Sequence, residues 1–207
     1  MTASVDIAKV IDEQNVGSFH VLVVGVSFLL MLADGYDNIS IAYIAPLLLR
    51  EWGIDKSALG PLFSAGLLGG LFGPPIFGYL ADRYGRKTTL VCGAFFFGLF
   101  TLAQVWADSL GSMMALRFIA GIGIGGVLPI TIALNTEFAP RRIRASMIML
   151  SFVGVALGGA TGGLVASRFM GTYGWQVIFW TGGIAPMLVG ILAIFLLPES
   201  IKFLSLR

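Results

Sequence analysis

The chain has 207 residues, of which 57% are hydrophobic and only 12% are charged, whereas a water-soluble domain carries about 25% charged residues. So little polar surface cannot cover a soluble globule, and the composition indicates a protein that lies in a lipid bilayer. The net charge of +2 argues against a nucleic-acid partner. The single cysteine, Cys92, excludes an internal disulfide and a paired-cysteine redox or zinc site.

Six stretches of the chain are long and apolar enough to cross a bilayer, which takes roughly 20 residues of helix. Their continuous apolar character favours helices over barrel strands, in which apolar and polar residues alternate. The predicted spans are residues 18–48, 58–80, 89–106, 110–134, 145–167 and 175–197. The expected fold class is therefore an all-α membrane protein. A six-helix bundle (residues 18–197) would lie between an N-terminal segment (residues 1–17) and a C-terminal segment (residues 198–207).

Basic residues are distributed unevenly between the two ends of these helices. Nine fall on the side that carries both termini, namely Lys9, Arg83, Arg86, Lys87, Arg141, Arg142, Arg144, Lys202 and Arg207. Three fall on the other side, namely Arg50, Lys56 and Arg168. Cytoplasmic loops are enriched in Lys and Arg. We therefore expect both chain termini to lie in the cytoplasm.

Glycines recur at helical spacing, as in Gly154, Gly158 and Gly162 of the fifth predicted helix. Small residues at this spacing let helix backbones approach closely inside a membrane, so the pattern favours a tightly packed bundle. The first three and the last three helices could form a pair of related three-helix units, but the two segments do not align convincingly.

Three ionisable residues lie within the predicted spans, where charge is costly and usually serves a function. Asp34 and Asp37 are three residues apart in the first helix, and so share one face about one turn apart. Two carboxylates this close in a medium of low dielectric do not both ionise easily, which predicts that they load and release a proton. The alternative is a turn outside the membrane at residues 34–37, but residues 18–33 would then be short for a span.

Arg117 in the fourth helix lies roughly 13 Å below the surface opposite to the termini, and Asp37 lies at a similar depth. The two side chains can therefore form an ion pair. Equally, the planar guanidinium of Arg117 can bind an anionic substrate, or the pair can be purely structural. Tyr36, Asn38 and Tyr43 are predicted to line a cavity beside the aspartates, with a place at the membrane interface or in helix packing as the alternative.

With one histidine and one cysteine, the chain lacks the residues for a metal cluster or a Ser-His-Asp triad. We therefore expect no enzymatic activity, no metal and no cofactor.

The segment Gly78-Tyr-Leu-Ala-Asp-Arg-Tyr-Gly-Arg-Lys87 lies between the second and third predicted helices. It resembles, position for position, the signature loop of the major facilitator superfamily. The segment Arg117-Phe-Ile-Ala-Gly-Ile-Gly-Ile-Gly-Gly126 resembles the arginine–glycine motif of the same family. This resemblance implies a cytoplasmic charge network that gates transport, and its members here would be Gly78, Asp82, Arg83, Gly85, Arg86, Lys87, Glu137, Arg144 and Glu199.

Within that superfamily, Asp34-Gly-Tyr-Asp37 followed by Ile41 to Pro46 resembles the first-helix motif of the aromatic acid:proton symporters. The resemblance implies uptake of a benzoate or hydroxybenzoate across a bacterial inner membrane, driven by the proton gradient and without a cofactor. It also implies that both aspartates are needed for transport. The alternatives are a sugar or another organic-acid porter of the superfamily, and a membrane fragment that does not transport.

Members of this superfamily have twelve helices in two six-helix halves and hold the substrate between the halves. The resemblance covers essentially this whole chain, but only the first half of such a protein. It implies one half of a major facilitator fold, whose partners are the organic anion, protons, the lipid bilayer and a second six-helix half.

Overall fold

A computed structural model describes residues 11–12, 14–200 and 203 of the chain. Within these residues there are six long helices: α1 (Ser18–Glu51), α2 (Leu59–Tyr84), α3 (Arg86–Ala103), α4 (Leu110–Phe138), α5 (Arg141–Tyr173) and α6 (Gln176–Leu196). Short 3-10 turns precede α2 at Lys56–Ala58 and follow α3 at Gln104–Trp106. All six helices are long and apolar enough to cross a membrane. The predicted fold class is confirmed.

Several helices extend beyond the predicted spans, and charged residues that were predicted to lie in loops lie in helical turns instead. These residues include Arg50, Asp82, Arg83, Arg86, Lys87, Glu137, Arg141, Arg142, Arg144 and Arg168. Hydropathy detects only the part of a helix that matches the hydrocarbon core, whereas the helix itself can continue into the polar headgroup region. The α2–α3 connection is consequently a single residue, Gly85. Lys9, Lys202 and Arg207 lie outside the described residues.

The helices pack as three main pairs, α1 with α5, α2 with α4, and α3 with α6. If α1, α2 and α3 correspond to α4, α5 and α6, the α1–α5 contact is the counterpart of the α4–α2 contact. The α3–α6 contact then maps onto itself. Such a pairing is expected of two related three-helix units, an arrangement known from transporter halves. The packing of the helices therefore agrees with the expected pair of three-helix units.

Two of these contacts depend on glycines at the helix crossings. A Cβ atom on Gly158 of α5 would collide with the backbone carbonyl of Leu32 in α1, and a Cβ on Gly69 of α2 would collide with the carbonyl of Phe118 in α4. Close backbone approach gives van der Waals attraction where lipid offers no hydrophobic driving force. The packing role predicted from glycine spacing is therefore seen in both pairs.

Large apolar side chains cover much of the bundle exterior. Leu71, Met149 and Phe195 are 70%, 70% and 81% exposed. A surface of this kind suits contact with lipid or with another membrane helix, and is rare on a soluble monomer.

The buried apolar side chains form two clusters, one toward each end of the bundle. One cluster includes Leu30 of α1 and Leu134 of α4, and the other includes Ile44 of α1 and Met113 of α4. The stretches of α1 and α4 between these residues carry the three ionisable side chains. The fold therefore brings those side chains together between two apolar layers.

Candidate functional site

Arg117 of α4 and Asp37 of α1 form a buried ion pair. Their similar depths in the sequence-based spans had made this pair one of the expected arrangements. Arg117 Nη1 donates to Asp37 Oδ2 at 3.2 Å, and the two side chains are only 5% and 4% exposed. Nη2 of the same guanidinium donates to the backbone carbonyl of Asp37 at 3.3 Å. The guanidinium is thereby held against α1 by both the side chain and the backbone of one residue.

Two hydroxyl groups complete this cluster, and neither was singled out from the sequence. Ser40 Oγ accepts from Arg117 Nη1 at 3.0 Å and donates to the Asp37 carbonyl at 2.6 Å. Thr101 Oγ1 of α3 donates to Asp37 Oδ1 at 3.4 Å. Ser40 lies one turn after Asp37, so helical spacing could have identified it. Thr101 is 64 residues away from Asp37 in the sequence, and its contact could not be inferred from spacing.

A cleft of about 290 Å³ lies beside the ion pair, between α2 and α4. Its walls are Phe63, Gly66, Leu67 and Gly70 of α2, Arg117, Gly121, Ile124 and Gly125 of α4, and Asp37 and Asn38 of α1. The lining thus combines one guanidinium and one carboxylate with apolar side chains and bare backbone. Concave sites that are mostly apolar and contain a few polar groups are typical of small-molecule binding.

The three polar residues that were predicted to line a cavity occupy different places. Asn38 lines the cleft, and its amide donates to the Asp34 carbonyl at 3.0 Å. Tyr36 instead contacts α6, where its hydroxyl lies 2.5 Å from Thr181 Oγ1. Tyr43 contacts α5, where its hydroxyl donates to the Gly159 carbonyl at 2.8 Å. The cleft beside Arg117 therefore includes one of the three, and the two tyrosines join helices.

Asp34 is buried in α1, with 8% of its surface exposed, one turn before Asp37. The ion pairs found among the described residues include Asp37 with Arg117 but none with Asp34. The two carboxylates thus have different environments: Asp37 has a fixed cationic partner, and Asp34 does not.

A second polar cluster lies at the end of the bundle that carries the α2–α3 and α4–α5 connections. Arg86 Nη1 forms an ion pair with Glu137 Oε1 at 3.0 Å, and the Ser200 hydroxyl also contacts the Glu137 carboxylate. Glu199 Oε1 accepts from the backbone N–H of Lys87 at 2.9 Å, close to the N-terminus of α3, where a negative charge is favourable. These contacts join the end of α4 and the chain after α6 to the start of α3.

The other members of the predicted gating network take separate positions. Arg83 donates to the Tyr79 hydroxyl at 3.2 Å, and Arg144 donates to the Ala139 carbonyl at 3.3 Å. Gly78 and Asp82 line a smaller cleft of about 150 Å³ between α2 and α4. Their role in gating stays a prediction.

Position 85, between α2 and α3, favours glycine because of its backbone conformation and its close neighbours. Its φ is +99°, and a Cβ there would lie 2.5 Å from the Glu199 carboxylate. Replacement of Gly85 by Ala should therefore cost about 1–3 kcal/mol of stability and displace Glu199 from α3. Thermal unfolding of the purified protein in detergent measures this loss. Gly111→Ala is the matched control, because it lies at a helical position with nothing within 4 Å of the added Cβ. Equal unfolding temperatures of the two variants would contradict the prediction.

The sequence profile of the Major Facilitator Superfamily matches residues 26–204. The chain belongs to this superfamily. The prediction made from the Gly78–Lys87 and Arg117–Gly126 motifs is therefore confirmed.

Several curated superfamily proteins are similar to this chain over nearly its whole length. The 4-hydroxybenzoate transporter PcaK of Pseudomonas aeruginosa is 38% identical over 202 residues, which are 98% of this chain and 45% of that protein. The gallate transporter of Pseudomonas putida is 34% identical over 99% of this chain and 46% of its own length. The benzoate transport protein of Acinetobacter baylyi is 34% identical over 99% of this chain and 45% of its own length. The chain thus spans about half the length of these relatives, which are transporters and not enzymes.

Solved superfamily structures show the same fold. The xylose transporter XylE of E. coli, in a partially occluded inward-open conformation, matches with a TM-score of 0.81 at 22% identity, over 92% of this chain and 52% of that one. A bacterial homologue of the human lysosomal transporter Spinster, inward-facing and unoccupied, matches with a TM-score of 0.77 at 19% identity, over 90% of this chain and 44% of that one. The six helices therefore correspond to one half of a major facilitator fold, as predicted.

Proposed function

We propose that this chain forms part of a secondary transporter that takes up an aromatic carboxylate together with protons. The observation that carries the proposal is the buried Arg117, which is held by Asp37 at 3.2 Å in the wall of a mostly apolar cleft. A guanidinium binds carboxylates through charge-assisted hydrogen bonds, and the apolar walls suit an aromatic ring. The printed names of the relatives, which include transporters of 4-hydroxybenzoate, gallate and benzoate, support this substrate class.

The proton would be carried by the aspartates of α1, with Asp34 as the main carrier. Asp37 already has a cationic partner in Arg117. Asp34 is also buried, and a buried carboxylate needs a counter-charge. A proton can provide this counter-charge, and moving it together with an anion reduces the charge that crosses the bilayer.

The proposal includes a bacterial inner membrane with both termini in the cytoplasm. The Asp12 carboxylate pairs with Arg141 of α5 at 3.2 Å, and Glu199 contacts the start of α3. Both ends of the described chain therefore lie at the end of the bundle where Arg83, Arg86 and Lys87 lie. The positive-inside rule assigns such an end to the cytoplasm.

The proposal also includes a second six-helix unit as a partner, on this or another polypeptide. Alternating access in such transporters rocks one half against the other around a central site, and the chain spans 45% of the length of the 4-hydroxybenzoate transporter. The Arg86–Glu137 pair and the Glu199 contact would then change as the cytoplasmic side opens and closes.

Ligand-induced stabilisation of the purified chain in detergent tests the substrate class. A ligand at 100 times its Kd stabilises the folded state by about 2.7 kcal/mol, so 4-hydroxybenzoate and benzoate should raise the unfolding temperature and xylose should not. Arg117→Gln should abolish the effect, whereas Arg168→Gln, at an exposed arginine near the end of α5, should retain it. Stabilisation by xylose and by no aromatic acid would overturn the proposal.

A further inference from the structure

Asn38 of α1 is a polar side chain that lies open to the cleft beside the ion pair. It lines the cleft together with Asp37 and Arg117, and the rest of the lining consists of glycines and apolar side chains. Asp37 and Arg117 are only 3% and 5% exposed, whereas Asn38 is exposed. Among the polar side chains of the lining, Asn38 is therefore the most accessible to a ligand.

The acceptor atoms of Asp37 are already used by neighbouring side chains. Its Oδ2 accepts from Arg117 and its Oδ1 accepts from Thr101. Its backbone carbonyl accepts from Ser40 and from Arg117. A polar group of a ligand could reach Asp37 only by displacing one of these hydrogen bonds. Asp37 is thus a poor partner for such a group.

The amide of Asn38 has an acceptor that is not used in this way. Its Nδ2 donates to the backbone carbonyl of Asp34 at 3.0 Å, one helical turn earlier, which directs the nitrogen end of the amide along α1. Its Oδ1 makes no hydrogen bond within the part of the chain that the structure describes, and an amide oxygen can accept two. The group that Asn38 offers to the cleft is therefore an acceptor. An acceptor suits an O–H donor and disfavours a carboxylate.

From this arrangement we infer that Asn38 recognises a hydroxyl group on the aromatic ring of the ligand, with the phenolic O–H donating to Oδ1. The inference rests on the proposed function, in which Arg117 binds the carboxylate. A hydroxyl group that enters a mostly apolar cleft loses its hydrogen bonds to water, and this is unfavourable unless it finds a new partner. The preferred substrate is then a hydroxylated aromatic acid and not benzoate itself, and Asn38 determines this preference.

Replacement of Asn38 by Ala can test the inference without disturbing the fold. The side chain is exposed, and its hydrogen bond goes to a carbonyl of the same helix. Alanine also has a higher helix propensity than asparagine. The Asn38→Ala variant should therefore fold at least as well as the unmodified chain. It removes the acceptor and leaves Arg117 and Asp37 in place.

The experiment is isothermal titration calorimetry of the purified chain in detergent with benzoate, 3-hydroxybenzoate and 4-hydroxybenzoate. At least one hydroxybenzoate should bind the unmodified chain about tenfold more tightly than benzoate, as expected for one additional hydrogen bond in an apolar cleft. Asn38→Ala should lose this preference, while its affinity for benzoate stays within about twofold of the unmodified chain. Because the result is a ratio between two ligands on one protein, a general effect on the fold cancels.

Asn15→Ala is the matched control, since Asn15 is exposed and precedes α1, and it should keep the preference of the unmodified chain. If the preference survives in Asn38→Ala, or if neither hydroxybenzoate binds the unmodified chain more tightly than benzoate, the inferred role of Asn38 is wrong while the proposed substrate class stands. An equal loss of affinity for all three acids would likewise overturn it. If the unmodified chain binds none of the aromatic acids, the proposed function itself fails.

Discussion

Replacement of Asp37 by Asn is expected to lower the free energy of unfolding by about 3–5 kcal/mol, the range seen when one partner of a buried ion pair is removed. Asn keeps the shape of Asp but removes the charge that compensates Arg117, which is only 5% exposed. The guanidinium would then be a buried cation with neutral acceptors only, namely Ser40 Oγ and the carbonyl of residue 37. Thermal or denaturant unfolding of the purified protein in detergent measures the change.

A double variant identifies the cause of this loss. Asp37→Asn combined with Arg117→Gln removes both charges, so its stability should recover toward that of the unmodified protein, because coupled residues do not contribute additively. Asp108→Asn, at an exposed position before α4, is the matched control and should change stability by less than about 0.5 kcal/mol. If the Asp37→Asn and Asp108→Asn proteins have the same free energy of unfolding, the pair has no structural importance and the prediction is wrong.

Replacement of Asp34 by Asn is expected to separate substrate binding from proton uptake. Binding of a carboxylate to the unmodified chain should be accompanied by uptake of about one proton, because linkage couples the two equilibria. Asn has nearly the same volume as Asp and cannot take up a proton. The hydrogen bond that Asn38 donates at this position goes to the backbone carbonyl of residue 34, so it survives the substitution. The variant should therefore fold and bind, but without proton uptake.

Calorimetry in two buffers of different ionisation enthalpy measures this proton number directly. Asp55→Asn, an exposed position before α2, should retain the proton uptake of the unmodified chain. In proteoliposomes that contain the chain together with a second six-helix unit, the Asp34→Asn protein should no longer accumulate labelled 4-hydroxybenzoate in response to a pH gradient. An unchanged proton number in the Asp34→Asn variant would exclude Asp34 as the carrier.

The polar cluster around Arg86, Glu137 and Glu199 shows contacts that the signature motif alone does not predict. The order of residues in Gly78–Lys87 indicates the superfamily, and the profile match over residues 26–204 confirms it. That order does not show that Glu199, which is 112 positions from Lys87, accepts from the Lys87 backbone. The close fit between Gly85 and the Glu199 carboxylate likewise depends on how the chain after α6 returns to α3.

Composition and residue spacing were enough to predict the membrane class, the number and approximate bounds of the helices, and the presence of costly charges inside them. These properties follow from composition and from spacing along one helix, which are local. Only the folded structure shows that Arg117 pairs with Asp37 and not with Asp34, and that Tyr36 and Tyr43 join helices away from the cleft. Such contacts depend on the rotation and crossing of helices that are far apart in the chain, and side-chain packing between helices sets those angles.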